Sequence, residues 1–155
     1  MPIVVDNVLS QIRTLAAGFG DRAARAQRLA ERIQVIGSYR WVGVYDVGSE
    51  LVSMIAFSGP SAPAHPTFAV GEGLTGAAIA TKQTLIVDDV RKDSRYLTAF
   101  GSTVSEIIVP VLAPGGGSVI GAIDAESDQP GAFSARDQQM IEQCAEAALP
   151  FWLLR

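Results

Sequence analysis

Three carboxylates, one thiol, one imidazole and two aromatic rings are the side chains of this sequence whose types and spacing could do chemistry. Glu106 lies seven residues before a turn that starts at Ala113, and Asp124 lies six after Ser118. Antiparallel pairing across that turn is expected to set the two acids side by side. Asp124 and Glu126 are two apart in one strand, so they share a face. Three acids on an otherwise apolar hairpin repel one another unless they reach solvent or a positive charge neutralises them. Two readings stay open: solvated strand ends that cap loop amides, or a site for a cation or an amine.

The other candidates are weaker. Cys144 is the only cysteine, which excludes an intramolecular disulfide and a thiolate-cluster metal site. Its neighbours Met140, Ile141 and Leu149 predict burial, which raises a thiol pKa and makes it inert. His65, the only histidine, stands in a proline-rich loop, either as a solvated residue or as a ligand contact. No second histidine, cysteine or suitably spaced acid accompanies it, so neither a metal nor a cofactor is expected. Trp41 and Tyr45 share a strand face with Gly43 between them. They read as core, or as a pocket wall against which a cationic group rests. The glycines of Gly71–Gly76 can present backbone N–H groups to an anion. No Gly-Lys-Ser/Thr follows them, so this is not a phosphate loop.

The elements that must position these residues follow from periodicity. Asp6 is placed to cap a first helix with Val8, Leu9, Ile12, Leu15 and Ala16 on its buried face. Gly18-Phe19-Gly20 breaks it, and Asp21 caps a second with Ala26, Leu29, Ile33 and Ile36 inward. Arg22, Arg25, Arg28 and Arg32 are expected on its solvated face, and Gly37 at its end. From Tyr39 the period becomes two, with a hairpin whose Gly48 suits a type II′ turn. Gly59, Pro60, Pro63 and Pro66 make 58–66 a loop, of the length that often forms a binding lid. A short helix over Leu74–Lys82, a brief strand at Leu85-Ile86-Val87 and a second hairpin, Ile107–Leu112 with Val119–Ala125, come next. Pro110 implies an edge position or a bulge. Ser134 and Asp137 form a capping box for a closing helix, with Phe133 as its staple.

This order predicts an α+β fold with an antiparallel sheet. Residues 1–38 are the N-terminal helices and 39–155 the core with its closing helix, one domain overall. The terminal helices should cover one sheet face, leaving the proline loop and the short helix to roof a pocket on the other. The chain has 155 residues, 48% hydrophobic and 18% charged, enough for one good core. Its formal net charge is −4 and it has no basic run, so nucleic acid is not an expected partner. No apolar stretch suits a membrane helix or a signal peptide, and a cytoplasmic protein is expected.

The sequence resembles the GAF domain family of small-molecule sensory modules over roughly residues 39–149. The resemblance rests on Trp41-Val42-Gly43-Val44-Tyr45, Gly71-Glu72-Gly73-Leu74-Thr75-Gly76, Ser105-Glu106-Ile107-Ile108-Val109-Pro110-Val111 and Ile120-Gly121-Ala122-Ile123-Asp124-Ala125-Glu126-Ser127. It implies a five- or six-stranded antiparallel sheet between a helix layer and a ligand-binding loop layer. Within the family, the sequence is most similar to the free methionine-(R)-sulfoxide reductases. Glu106, Asp124 and Glu126 match the acids that this resemblance implies hold a substrate's ammonium group. The reductases' cysteines have no match. Thr75 stands at one such position, Ala64 or His65 at another, and Ala99 at the third. Reduction of a sulfoxide needs an attacking and a resolving thiol, so redox catalysis is not expected. The cyclic-nucleotide pattern and the bilin-binding cysteine of other GAF domains are also absent.

The expectation is a free-standing sensory module for a small, amino-acid-like ligand bound by Glu106, Asp124, Glu126, Trp41, Tyr45, His65 and Thr75. The alternative is a diverged reductase. Pro150-Phe151-Trp152-Leu153-Leu154 puts four large apolar side chains at the chain end, which suggests a homodimer through the terminal helices. Any signal is expected to pass to a separate output protein.

Overall fold

A computed structural model describes residues 2–154. The helices are α1 (Pro2–Ala17), α2 (Arg22–Gly37), α3 (Gly73–Thr81) and α4 (Ala135–Leu153). The strands are β1 (Trp41–Val47), β2 (Leu51–Ser58), β3 (Thr67–Ala69), β4 (Leu85–Val87), β5 (Ser105–Leu112) and β6 (Val119–Ser127). They form one antiparallel sheet in the order β3-β2-β1-β6-β5-β4. The fold is α+β.

Strand alternation sorts the core into two layers. Val42, Val44, Ile107, Val109, Val111, Ile123 and Ala125 point to the face covered by α2 and α4, on which α1 packs in turn. Trp41, Tyr45, Ile108 and Ala122 point to the other, where Leu74 and Ala78 of α3 meet them. Cys144 is completely buried in the helix-side layer. The capping box forms as expected: Asp137 N–H donates to Ser134 Oγ, and Ser134 N–H to Asp137 Oδ2 at 2.8 Å. Phe133 packs on Tyr39, its ring centroid 5.7 Å away.

Several local expectations are corrected. Asp6 lies inside α1, which begins at Pro2, and so is not its cap. Ser38, at φ 52°, takes the left-handed closing position of α2 that was expected of Gly37. Gly48 lacks the positive φ that a type II′ turn requires. The second hairpin strand extends to Ser127, and residues 67–69, directly after Pro66, add a short edge strand.

Only Arg28 and Arg32 lie on the expected solvated face. Arg25 is buried and donates to the carbonyls of Leu15 (3.0 Å) and Ala16 (2.8 Å). It satisfies carbonyls that the end of α1 leaves without intrahelical partners. Arg22 forms a two-pronged ion pair with Asp46, at 2.6 and 2.8 Å, and lies 4.6 Å above the Phe151 ring.

The chain end folds back on its own domain. Phe151 and Trp152 are buried, while Leu153 and Leu154 are exposed. Trp152 Nε1–H donates to the Tyr45 carbonyl at 3.0 Å. Its indole occupies the place where Gly121 lacks a side chain: a Cβ there would come within 2.2 Å of it. Half of the apolar tail that suggested a partner subunit is therefore explained within the chain.

β4 pairs only with Glu106, Ile107 and Ile108 of β5. Pro110 lies beyond that cover, next to a bulge between Val111 and Leu112, which accounts for its place in a strand. The uncovered stretch lines an open groove of about 560 Å³ with Lys82–Thr84 and the α4 side chains Glu142, Ala145 and Glu146. Among the described residues, no helix is long and apolar enough to cross a membrane.

Candidate functional site

The three acids converge. The bulge at Val111/Leu112 shifts the register so that Glu106 faces Glu126, and Asp124 faces Ile108. This corrects the expected Glu106–Asp124 pairing, but a two-residue step keeps all three on the face opposite α1, α2 and α4. One carboxylate oxygen from each lies within 4.8 Å of the others. They are not at solvated strand ends: Glu106 and Asp124 are 5% exposed and Glu126 3%.

Their environment holds little to balance the charge. Among the described residues, no lysine or arginine pairs with them. Thr103 Oγ1–H donates to Glu126 Oε1 at 2.8 Å. Glu106 Oε2 and Asp124 Oδ1 are buried with no donor in reach. Burial, and then the neighbouring acids, push all three carboxyls well above the usual carboxylate range: Glu126 acts on Glu106, Glu106 on Asp124, and Asp124 on Glu126. Two unit charges 4 Å apart still repel by about 4 kcal/mol at an effective dielectric constant of 20. The triad favours protons or a cation over three free negative charges.

A small cavity of about 30 Å³ lies over the acids, room for a water or two. Tyr45, Pro63, His65, Phe68, Gly73, Leu74, Thr75, Tyr96, Leu97 and Ala99 complete its lining. Of the other residues proposed from the sequence, Tyr45, His65 and Thr75 line this cavity. Trp41 is on the same sheet face but lines a neighbouring cavity of about 90 Å³ with Pro60, Ser61, Phe100 and Thr103. Glu126 borders both. Gly43 makes the aromatic wall possible, because a Cβ would lie 2.4 Å from the Trp41 ring and 2.8 Å from that of Tyr45.

Two loops form the roof. Trp41 Nε1–H donates to the Ser61 carbonyl at 3.1 Å, and Ala64 N–H to that of Ala99 at 3.0 Å. Phe100 packs edge-on against Trp41, with centroids 5.3 Å apart. Phe68, Tyr96, Leu97 and Thr103 are pocket residues that sequence reasoning missed. The signal for Tyr96 and Phe100 was two rings in the otherwise polar stretch 91–101.

A family model for the GAF domain matches residues 4–149. The chain belongs to the GAF domain family. The match reaches into the N-terminal helices, beyond the 39–149 span of the motifs. This GAF domain is 30% identical over 139 residues to GAF domain-containing protein A of Dictyostelium discoideum, covering 89% of this chain and 85% of that one. It is also similar to a type II free methionine-R-sulfoxide reductase from Thermoplasma acidophilum: TM-score 0.77, 31% identity, 84% of this chain and 91% of that one covered. A free methionine-R-sulfoxide reductase from Neisseria meningitidis, solved with its substrate, gives TM-score 0.83 and 27% identity, covering 96% and 88%.

The residues that the resemblance sets against reductase cysteines lie at or beside this one cavity. Thr75 and Ala99 line it together with His65, and Ala64 is tied to Ala99. None of these residues carries a thiol. The one thiol, Cys144, faces the opposite sheet layer, where burial pushes its pKa up to about 12.

Proposed function

We propose that this GAF domain is a sensory module that binds a small cationic molecule, amino-acid-like in class, and performs no redox chemistry of its own. The observation that carries this reading is the buried Glu106–Asp124–Glu126 triad, with two oxygens lacking a donor and, among the described residues, no lysine or arginine paired with it. A primary ammonium supplies up to three N–H donors and a positive charge, which is what those oxygens lack. Tyr45 and Phe68 give such a ligand an aromatic wall. An amino acid is larger than the cavity, so entry requires the loops around Ala64 and Ala99 to part.

The second reading, a diverged reductase, is favoured by the presence of reductases among the structural relatives. The thiol chemistry stands against it, because Cys144 is buried on the far side of the sheet.

A thermal-shift screen against free amino acids, including methionine and both methionine sulfoxide diastereomers, tests the proposal. A ligand at one hundred times its dissociation constant stabilises by about 2.7 kcal/mol, roughly 5–10 °C in a domain of this size. The shift is expected to vanish in Glu106→Gln and Asp124→Asn. A screen without a single shift would remove the amino-acid-like ligand.

A further inference from the structure

The triad is a closed problem in charge. Three carboxyls, each at least 95% buried, bring oxygens within 4.8 Å of one another. Asp124 lies two residues from Glu126 on one strand face and diagonal to Glu106 across the β5–β6 pairing. Two carboxylate oxygens repel at that range, whereas a carboxylic acid O–H bonds to a carboxylate. The groups facing them include no lysine or arginine, and the one imidazole among them, that of His65, is exposed. They are Tyr45 from β1, His65 from the proline loop, Thr75 from α3, and Tyr96 and Thr103 from the loop before β5. Tyr45 and Tyr96 are held in the neutral phenol form by burial and by the acids themselves, Tyr96 at about 12. Glu106 Oε2 and Asp124 Oδ1, buried and without a donor among the described residues, mark where one is missing.

We propose that the closed pocket is a proton-for-cation exchanger: Glu106, Asp124 and Glu126 hold one another through shared protons, and an entering cationic group displaces one of them to water. The step breaks one carboxylic O–H bond, leaves its electron pair on the carboxylate, and hands that carboxylate an N–H donor from the ligand. No oxidant or reductant enters. This inference rests on the reading of the pocket as a cation site and adds its regulation by pH. With one proton released per ligand, affinity rises tenfold for each pH unit up to the ionisation of the displaced proton.

Carbon-13 NMR of the carboxyl groups in the full chain, labelled at Glu and Asp, tests this with a simple amine standing in for the ligand. At neutral pH at least one of the three resonances is expected at the protonated position, assigned by its loss in Glu106→Gln. Asp124→Asn provides a second assignment should the first variant fold poorly. Methylammonium chloride is the probe cation, with sodium chloride at equal ionic strength as the control. It is expected to convert one protonated carboxyl to carboxylate. Three carboxyls ionised at neutral pH, or resonances that methylammonium leaves unmoved, would overturn the exchange. If methylammonium drives the conversion and no amino acid binds, the ligand class is wrong and the exchange stands. Amino acids that bind a fully ionised triad give the reverse.

Discussion

The two faces of the sheet are built from alternate residues of the same strands and do opposite things with buried polarity. On the helix side the buried cation Arg25 bonds to carbonyls that the end of α1 leaves without helical partners, and the packed layer around it is apolar. On the loop side three acids share one small space and two of their oxygens find no donor. Unpaired buried polar groups cost stability, so a chain keeps them where they do something else. The comparison teaches that one face carries the fold and the other draws on it.

The largest test of that division is Phe151→Ala. Phe151 is completely buried and also carries Arg22 against its ring. Its truncation is expected to cost about 3–5 kcal/mol in urea denaturation. A loss under about 1 kcal/mol, the size of an ordinary surface change, would show that the terminal helix is not the main support.

Glu106→Gln is expected to have the opposite sign. The folded triad keeps protons over a pH window in which the unfolded chain has lost them, because the folded carboxyls ionise well above the usual range. Stability is then fully present below the ordinary carboxyl range and falls as pH rises through and above it. Removing one acid should flatten that fall and raise stability at neutral pH by about 1–3 kcal/mol, the usual size of an unsatisfied buried polar group. Denaturation midpoints measured across pH for both proteins decide this, and an unchanged slope would mean the acids are ordinary.

Cys144→Ser sharpens the contrast from the helix side. A hydroxyl in that apolar layer should cost roughly 0.5–2 kcal/mol while leaving any ligand-induced thermal shift intact. Methionine sulfoxide reduction that disappears in this variant would instead assign chemistry to the wrong face. The smallest effect is expected of Ser134→Ala, which opens the capping box of α4 at a cost of about 1 kcal/mol and leaves the pocket unaltered.

The layers were legible in the sequence because apolar residues two apart declare a strand face whatever the rest of the chain does. The capping box at Ser134 was legible because both partners lie within one turn. What depended on distant partners was not. The burial of Arg25 is set by where α1 ends its carbonyls, and an arginine spacing carries no trace of that. A plain count from Ala113 and Ser118 sets Glu106 opposite Ala125, and the one extra residue at the Val111/Leu112 bulge moves it on to Glu126, two residues from the expected Asp124. The three acids were still predicted together, because a face survives a two-residue slip. Thr67–Ala69 is too short for periodicity to register.

The short reach of β4 has a further consequence. Beyond Ile108 the outer side of β5 has no neighbouring strand, and its residues Val109, Val111 and Leu112 are the kind that pair readily with a foreign chain. Pro110 stands in the middle of that stretch and has no N–H to offer an incoming strand. The ring that looked misplaced in a strand works as a guard on its open border. The sheet can stop one strand short there without inviting another molecule to continue it.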